Sequence, residues 1–299
     1  MTKTFGMKVL AGLALALAIG AAPAPVTAAG DTPIIKRHDK WTYGGLRGHF
    51  DNVQLQRGFQ VYQEVCAACH GLKRVYFRNL AEPGGPGFPE EAVKALAASW
   101  PNQIFAGPND AGDIADRRGR ILKRPALLSD PILGPYDNDK AAAAANNGAV
   151  PPDLSLITKA RTGAAEYHGS LIGHPVQMLS DIVRGYQEGG SDYVYALLNG
   201  YDNTPANMKM ADGMHYNKAF PGYQIAMAKP LQDGQVKYQD PATPRTVAQY
   251  AEDVTAFLAW AGDPKLEERK SMGLKVLLYL LITTLLLYLA KKRLWSRLH

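Results

Sequence analysis

Cys66-Ala67-Ala68-Cys69-His70 constrains this chain more than any other stretch. C-x-x-C-H is the attachment pattern of c-type haem. Two thiols add across the two vinyl groups of one ring, and two intervening residues let a single helical turn present both sulfurs along one edge. The histidine that follows swings its imidazole onto the iron as proximal ligand. Competing uses of the motif fit worse. A zinc knuckle needs a second ligand pair, and Cys66 and Cys69 are the only cysteines in 299 residues. A thioredoxin-like pair belongs in a βαβ pattern and has no need of the histidine. The predicted cofactor is therefore one haem c held by two thioethers, which leaves no thiol for a structural disulfide.

Both ends of the chain carry targeting chemistry. Lys3 and Lys8 precede an apolar run from Val9 to Ala22, and PAPVTAAG then supplies small residues. This pattern predicts a cleaved signal peptide over residues 1–29, too short in its apolar part to span a bilayer. Export agrees with the haem reading, because bacterial c-type haem is attached outside the cytoplasmic membrane. A second apolar run, from Leu274 to Ala290, is extended by Met272 and Gly273. Four helical turns without a polar face predict a membrane anchor rather than a core helix, placed at 273–290 and in contact with lipid. Lys275 and Lys291 can snorkel to the interfaces. Lys291, Lys292, Arg293 and Arg297 favour the cytoplasmic side, but Lys265, Arg269 and Lys270 flank the other end. The signal peptide decides the orientation. A domain over 30–272 is expected in the periplasm and a tail over 291–299 in the cytoplasm, on a bacterial inner membrane crossed once.

The formal charge of +6 is explained by those ends. Two basic residues lie in 1–29 and four in 291–299, with no acid in either. The remainder carries Lys and Arg equal in number to its Asp and Glu, so a nucleic-acid partner is not expected.

Leu55, Phe59, Tyr62 and Cys66 fall on one stripe, predicting a helix from Val53 to Cys69. Gly58 beside Phe59 would let a second helix approach closely. Pro244 to Trp260 is the candidate partner: Thr243 can cap it, Pro244 suits its first position and Gly262-Asp263-Pro264 stops it. Short helices are predicted over Pro89–Trp100 and through the Ala141–Ala145 run. Between them the chain reads as irregular, with Trp41 and Tyr43 as anchors of an extended N-terminal arm. Loops of such length wrap a site or a ligand. The fold class is mainly α: a c-type cytochrome domain with long irregular loops around one haem, plus one C-terminal transmembrane helix.

Iron with His70 on one side needs a ligand opposite. Among the methionines, Met227 lies in AFPGYQIAMAKPL, where Pro221-Gly222 and Pro230 bracket a short rigid loop. Met208, Met210 and Met214, clustered in NMKMADGMH, are its rivals on the residues alone.

RGFQVYQEVCAACH, GPNDAG, AANNGAVPPDLS, GGSDYVYALLNGY and FPGYQIAMAKPL, followed by one anchor, resemble the cytochrome c1 family from about Trp41 onward. The resemblance implies Cys66 and Cys69 as haem attachment sites and His70 and Met227 as axial ligands. It also implies Asn147, Pro152, Arg161 and Tyr193 along the haem edge, the last two near the propionates. Arg184, in DIVRGYQEGG, is a rival for the arginine, because Thr162 to Glu188 separates Arg161 from the GG-x-D-Y segment. The implied function is one-electron relay within the ubiquinol–cytochrome c oxidoreductase. The partners would be cytochrome b, the Rieske iron–sulfur protein and a c-type cytochrome acceptor. Bond-making chemistry would then belong to the complex. The competing class is a membrane-anchored haem c enzyme, of peroxidase or reductase type, with an open iron position.

Overall fold

The computed structural model describes residues 33–38, 41–45, 48–109, 112–116, 118–161 and 189–296. The expected signal peptide, Arg184 and Arg297 lie outside the described residues. The described helices are α1 (Asn52–Glu64), α2 (Glu90–Ser99), α3 (Asp139–Ala145), α4 (Ile157–Ala160), α5 (Gly189–Asn199), α6 (Val247–Gly262) and α7 (Leu266–Trp295). Strands are short: β1 (Leu72–Tyr76), β2 (Ile104–Phe105), β3 (Lys123–Arg124), β4 (Pro131–Ile132), β5 (His215–Tyr216) and β6 (Gln224–Ile225). They pair antiparallel as β1 with β4, β2 with β3 and β5 with β6. The architecture is mainly α, with helices joined by long loops that carry these two-stranded pairings and short 3-10 turns.

The core forms where α1 crosses α6. Leu55, Phe59 and Tyr62 on α1 are buried, as are Tyr250, Val254, Phe257 and Trp260 on α6. Phe257 meets Phe59 edge-on at 5.5 Å between centroids and Tyr62 at 5.8 Å. Gly58 permits the crossing, since a Cβ there would lie 2.1 Å from the Asp253 carbonyl oxygen. One residue away, Arg57 makes a two-pronged contact with buried Asp253, Nε to Oδ2 and Nη2 to Oδ1, both at 2.9 Å. Tyr238 Oη donates to the same carboxylate at 2.8 Å and Gln249 Nε2 at 3.1 Å. A buried carboxylate with four donors is fully satisfied, and such a group fixes the register of the two helices. The pairing raises the Arg57 pKa, the Asp253 hydrogen bonds outweighing burial.

Both long helices differ from the sequence expectation at their ends. The first stops at Glu64 rather than Cys69, because Val65 leaves helical geometry (φ −122°, ψ −59°), and Cys66–Ala68 follow as a 3-10 turn. The second starts at Val247 rather than Pro244. Thr246, not Thr243, caps it by accepting from Gln249 N, while Thr243 is engaged with Asp240. The Gly189–Asn199 and Ile157–Ala160 helices fall in sequence read as irregular. Glycines at 189, 190 and 200 mask the first of these. One of them is required: a Cβ at Gly190 would fall 1.7 Å from the Thr158 carbonyl oxygen, where α5 packs on α4.

Trp41 and Tyr43 are buried anchors of the N-terminal arm. Trp41 Nε1 donates to Asp192 Oδ1 on α5 at 2.8 Å. The arm also grips α7, with Phe50 N donating to Glu267 Oε1 at 2.7 Å and Lys270 Nζ to the Tyr43 carbonyl at 2.5 Å. Beyond Lys270, α7 is almost wholly exposed, and an 18-residue window within it reaches a mean hydropathy of 2.0. Its 30 residues extend about 45 Å, longer than a ~30 Å hydrocarbon core. The apolar anchor is thus one continuous helix with the turn that docks on the domain.

Candidate functional site

The end of α1 delivers the C-x-x-C-H stretch. Cys69 N and His70 N both donate to the Cys66 carbonyl, at 3.1 and 2.9 Å, closing a tight turn that keeps both thiols on one short segment. Neither cysteine is in a disulfide, and each is half-buried. Burial, with a smaller contribution from Cys69, pushes the Cys66 thiol up to about 12.

His70 is tied at both ends. Its Nδ1 lies 2.7 Å from the Pro152 carbonyl oxygen, and Tyr62 Oη donates to its own carbonyl at 3.0 Å. A carbonyl only accepts, so Nδ1 carries the proton and Nε2 keeps its lone pair for a metal. Burial lowers the His70 pKa, against the opposing pull of the Pro152 bond. That too favours the neutral, ligating form.

The segment carrying Pro152 is held against 71–74 by a ladder of contacts. Leu154 N donates to the Gly71 carbonyl at 2.9 Å, Lys73 N to Asp153 Oδ2 at 2.8 Å and Arg74 N to Ser155 Oγ at 3.0 Å. Asp153 Oδ1 also accepts from Ser155 N at 3.0 Å. Gly71 allows the chain to pass Gly134 closely, since a Cβ there would sit 2.5 Å from the Gly134 nitrogen. Pro152, expected at the haem edge, therefore acts through its carbonyl on the histidine.

A second group of residues gathers around α5. Arg161 terminates α4 and is exposed; Tyr193 is buried on α5. Burial raises the Tyr193 phenol, and the nearby Arg161 charge works against that rise. From the end of α5, Tyr201 pairs with Asn217 in an isolated β-bridge and sends its phenol to the Met227 carbonyl at 2.9 Å. Met227 follows β6, which pairs with β5 immediately after the Met208–Met214 segment. Gln224 Oε1 on β6 accepts from Ala211 N at 2.9 Å, so the segment that carries Met208, Met210 and Met214 is tied to the hairpin that leads to Met227. Asn147 (φ 52°) follows Asn146, the C-cap of α3, and its side chain faces Gly213 on the Met208–Met214 segment.

The donor set fits haem c. Two unpaired thiols flank one turn, an imidazole presents a free Nε2, a half-buried thioether sits on a braced loop, and a cation stands beside a buried phenol.

A sequence model of the cytochrome C1 family matches residues 41–298. The chain belongs to the cytochrome c1 family. It is 44% identical to cytochrome c1 of Blastochloris viridis over 98% of this chain and 97% of that protein. It is 48% identical to the cytochrome b/c1 of Bradyrhizobium diazoefficiens over 87% of this chain but only 36% of that longer protein. Against "Cytochrome c1 2, heme protein, mitochondrial" of Arabidopsis thaliana it is 40% identical over 86% of this chain and 71% of that protein. The chain is accordingly a haem c electron-transfer subunit of the cytochrome bc1 complex, membrane-anchored, with one covalently attached haem. An enzyme with an open iron position is not favoured.

Proposed function

We propose that Cys66 and Cys69 hold the haem, that His70 and Met227 are its axial ligands, and that Arg161 and Tyr193 meet its propionates. Asn147 and Pro152 border it, Pro152 through the histidine. The observation that carries this reading is the 2.7 Å contact from His70 Nδ1 to the Pro152 carbonyl, one turn from two unpaired thiols. Haem c, when bound, supplies a one-electron ferric/ferrous couple. The chain's own residues set where that couple sits. Met/His ligation raises the potential relative to other axial pairs, and burial on the α5 side restricts water. A guanidinium beside a carboxylate gives a charge-assisted partner, which suits Arg161 to a propionate.

The electron donor in this reading is the Rieske iron–sulfur protein, the acceptor a c-type cytochrome and the membrane partner cytochrome b. The name of the Bradyrhizobium relative, which joins a b and a c1 label in one protein, supports the b partnership. The haem domain, 30–272, faces the periplasm once the segment 1–29 is removed, 273–290 spans the membrane, and 291–299 is cytoplasmic. Lys292 and Arg293 in the last turn of α7 support that orientation. Purification of the tagged full chain in mild detergent should bring down a cytochrome b and a Rieske protein, with the c haem reducible through the latter. A haem-loaded chain that purifies free of both overturns the assignment.

A further inference from the structure

Tyr201 lies in GGSDYVYALLNGY, and its phenol reaches the backbone of the proposed sixth ligand. Its Oη donates to the Met227 carbonyl at 2.9 Å, and among the described residues this is the single hydrogen bond to the Met227 backbone. β6 ends at Ile225, so the ladder that ties this hairpin stops two residues short of the methionine. A loop so placed can slide its thioether unless something else holds it.

The base from which Tyr201 reaches is itself rigid. Asn217 is fully buried, donates from Nδ2 to the Leu197 carbonyl at 2.8 Å and accepts at Oδ1 from Ala219 N at 2.9 Å. Its backbone nitrogen donates to the Tyr223 carbonyl at 3.0 Å, and Lys218 N donates to the Gly200 carbonyl at 2.8 Å. Gly200 must be small here, because a Cβ would fall 2.5 Å from Asn217 Oδ1. The clamp thus joins the end of α5 to both sides of the hairpin.

We infer that Tyr201, seated by Asn217, is the positioning residue that holds the Met227 thioether at bonding distance from the iron. The inference rests on Met227 being the sixth ligand. With the phenol in place, the carbonyl of Met227 has a fixed partner and the side chain one starting point. Without it, the methionine leaves the metal more readily and an added ligand competes better.

The test uses the haem-loaded full chain in detergent, in the ferric state, titrated with imidazole as the competing ligand. Tyr201→Phe keeps the ring and removes the hydrogen bond to the Met227 carbonyl, worth about 1 kcal/mol, so imidazole should bind about fivefold tighter. The methionine-to-iron charge-transfer band should weaken at lower imidazole, with haem content unchanged. Tyr250→Phe removes a buried phenol that donates to the Val236 carbonyl at 2.7 Å and accepts from Val236 N at 3.2 Å, and should leave imidazole affinity at the wild-type value. That control separates positioning from general loosening. If Tyr201→Phe does not accumulate, Asn217→Ser, which loses the Leu197 tie, is read the same way. Wild-type imidazole affinity in the variant that folds overturns the inference, as does an equal gain in Tyr250→Phe. Met227→Leu distinguishes the two readings: a band that persists there overturns the ligand assignment, whereas a band lost there but insensitive to Tyr201 overturns the positioning role alone.

Discussion

Gly58 on α1 and Asp253 on α6 meet backbone to backbone, so closely that a Cβ on Gly58 would stand 2.1 Å from the Asp253 carbonyl oxygen and 2.7 Å from the Phe257 Cβ. The neighbouring Arg57 clasps the side chain of that same aspartate. α1 ends just before the cysteines, and α6 leads almost directly into the anchor. This crossing therefore sets the haem motif relative to the membrane helix.

Gly58→Ala should push the two helices apart and cost about 1–3 kcal/mol, the usual range for overpacking a close contact. Thermal unfolding of the haem-loaded chain checks it, with a fall of several degrees expected. Gly189→Ala is the control, since nothing among the described residues lies within 4 Å of a Cβ there. It should be neutral or slightly stabilising. Equal melting temperatures for the two variants would show that the crossing tolerates a methyl group.

The Arg124–Asp130 pair predicts an acid-sensitive loop. Arg124 makes a two-pronged contact to the Asp130 carboxylate, and Leu127 N donates to it at 2.8 Å. The Arg124 hydrogen bonds, supported by the Leu127 bond and opposed by burial, hold the Asp130 pKa below the ordinary value. A carboxylate depressed in the folded state contributes stability that is present above its unfolded pKa, near 4, and is lost as pH falls through the folded one. Asp130→Asn should lower stability at pH 7 and flatten the dependence below about pH 4. Urea midpoints across pH 2.5–7 read this out, and parallel curves for variant and wild type would count against it.

Truncation separates anchor from domain. A stop after Lys270 keeps both ties to the N-terminal arm, Glu267 to Phe50 and Lys270 to Tyr43, while removing the apolar turns. It should release a haem-containing fragment to the soluble fraction. A stop after Asp263 also removes buried Leu266 and both ties, and should melt lower. A Lys270 fragment that stays in the membrane after a salt wash would mean that a second segment holds it there.

Met227→Leu should leave haem attached, since Cys66, Cys69 and His70 are untouched, and should lower the potential. A fall of about 200 mV would shift a one-electron equilibrium by more than three orders of magnitude, at ~59 mV per tenfold step. The expected result is a complex that assembles yet accepts electrons poorly from its donor. The same change at Met208, Met210 or Met214 should leave the potential near wild type. Loss of the low-spin spectrum from one of those three, with Met227→Leu unaffected, would move the ligand assignment to that residue.

What was legible in the sequence is what local chemistry dictates. C-x-x-C-H names its cofactor because the spacing is that of two vinyl groups, and the apolar run before Lys291 names its solvent because its few polar residues make no polar face over four turns. Gly58 on the face of a periodic stripe announced a close helix contact. The partner helix was recognisable by its start and stop residues, though its start was misplaced because Thr243 and Thr246 both offer a cap and only the latter's geometry satisfies the helix. The cap was decided by Asp240, which engages Thr243.

Tertiary structure alone decided the rest, for one physical reason: the groups that meet at the site are far apart in the chain and carry no periodic signal. Pro152 acts through a backbone carbonyl, which every residue has, on a histidine 82 positions away. Tyr201 reaches Met227 across 26 residues by a contact that no spacing rule encodes. The Gly189–Asn199 helix stayed hidden behind glycines that weaken helix propensity, and it forms because packing on α4 and α6 outweighs that weakness. Local pattern determined which chemistry the chain carries; only the fold determined how its ligands are held.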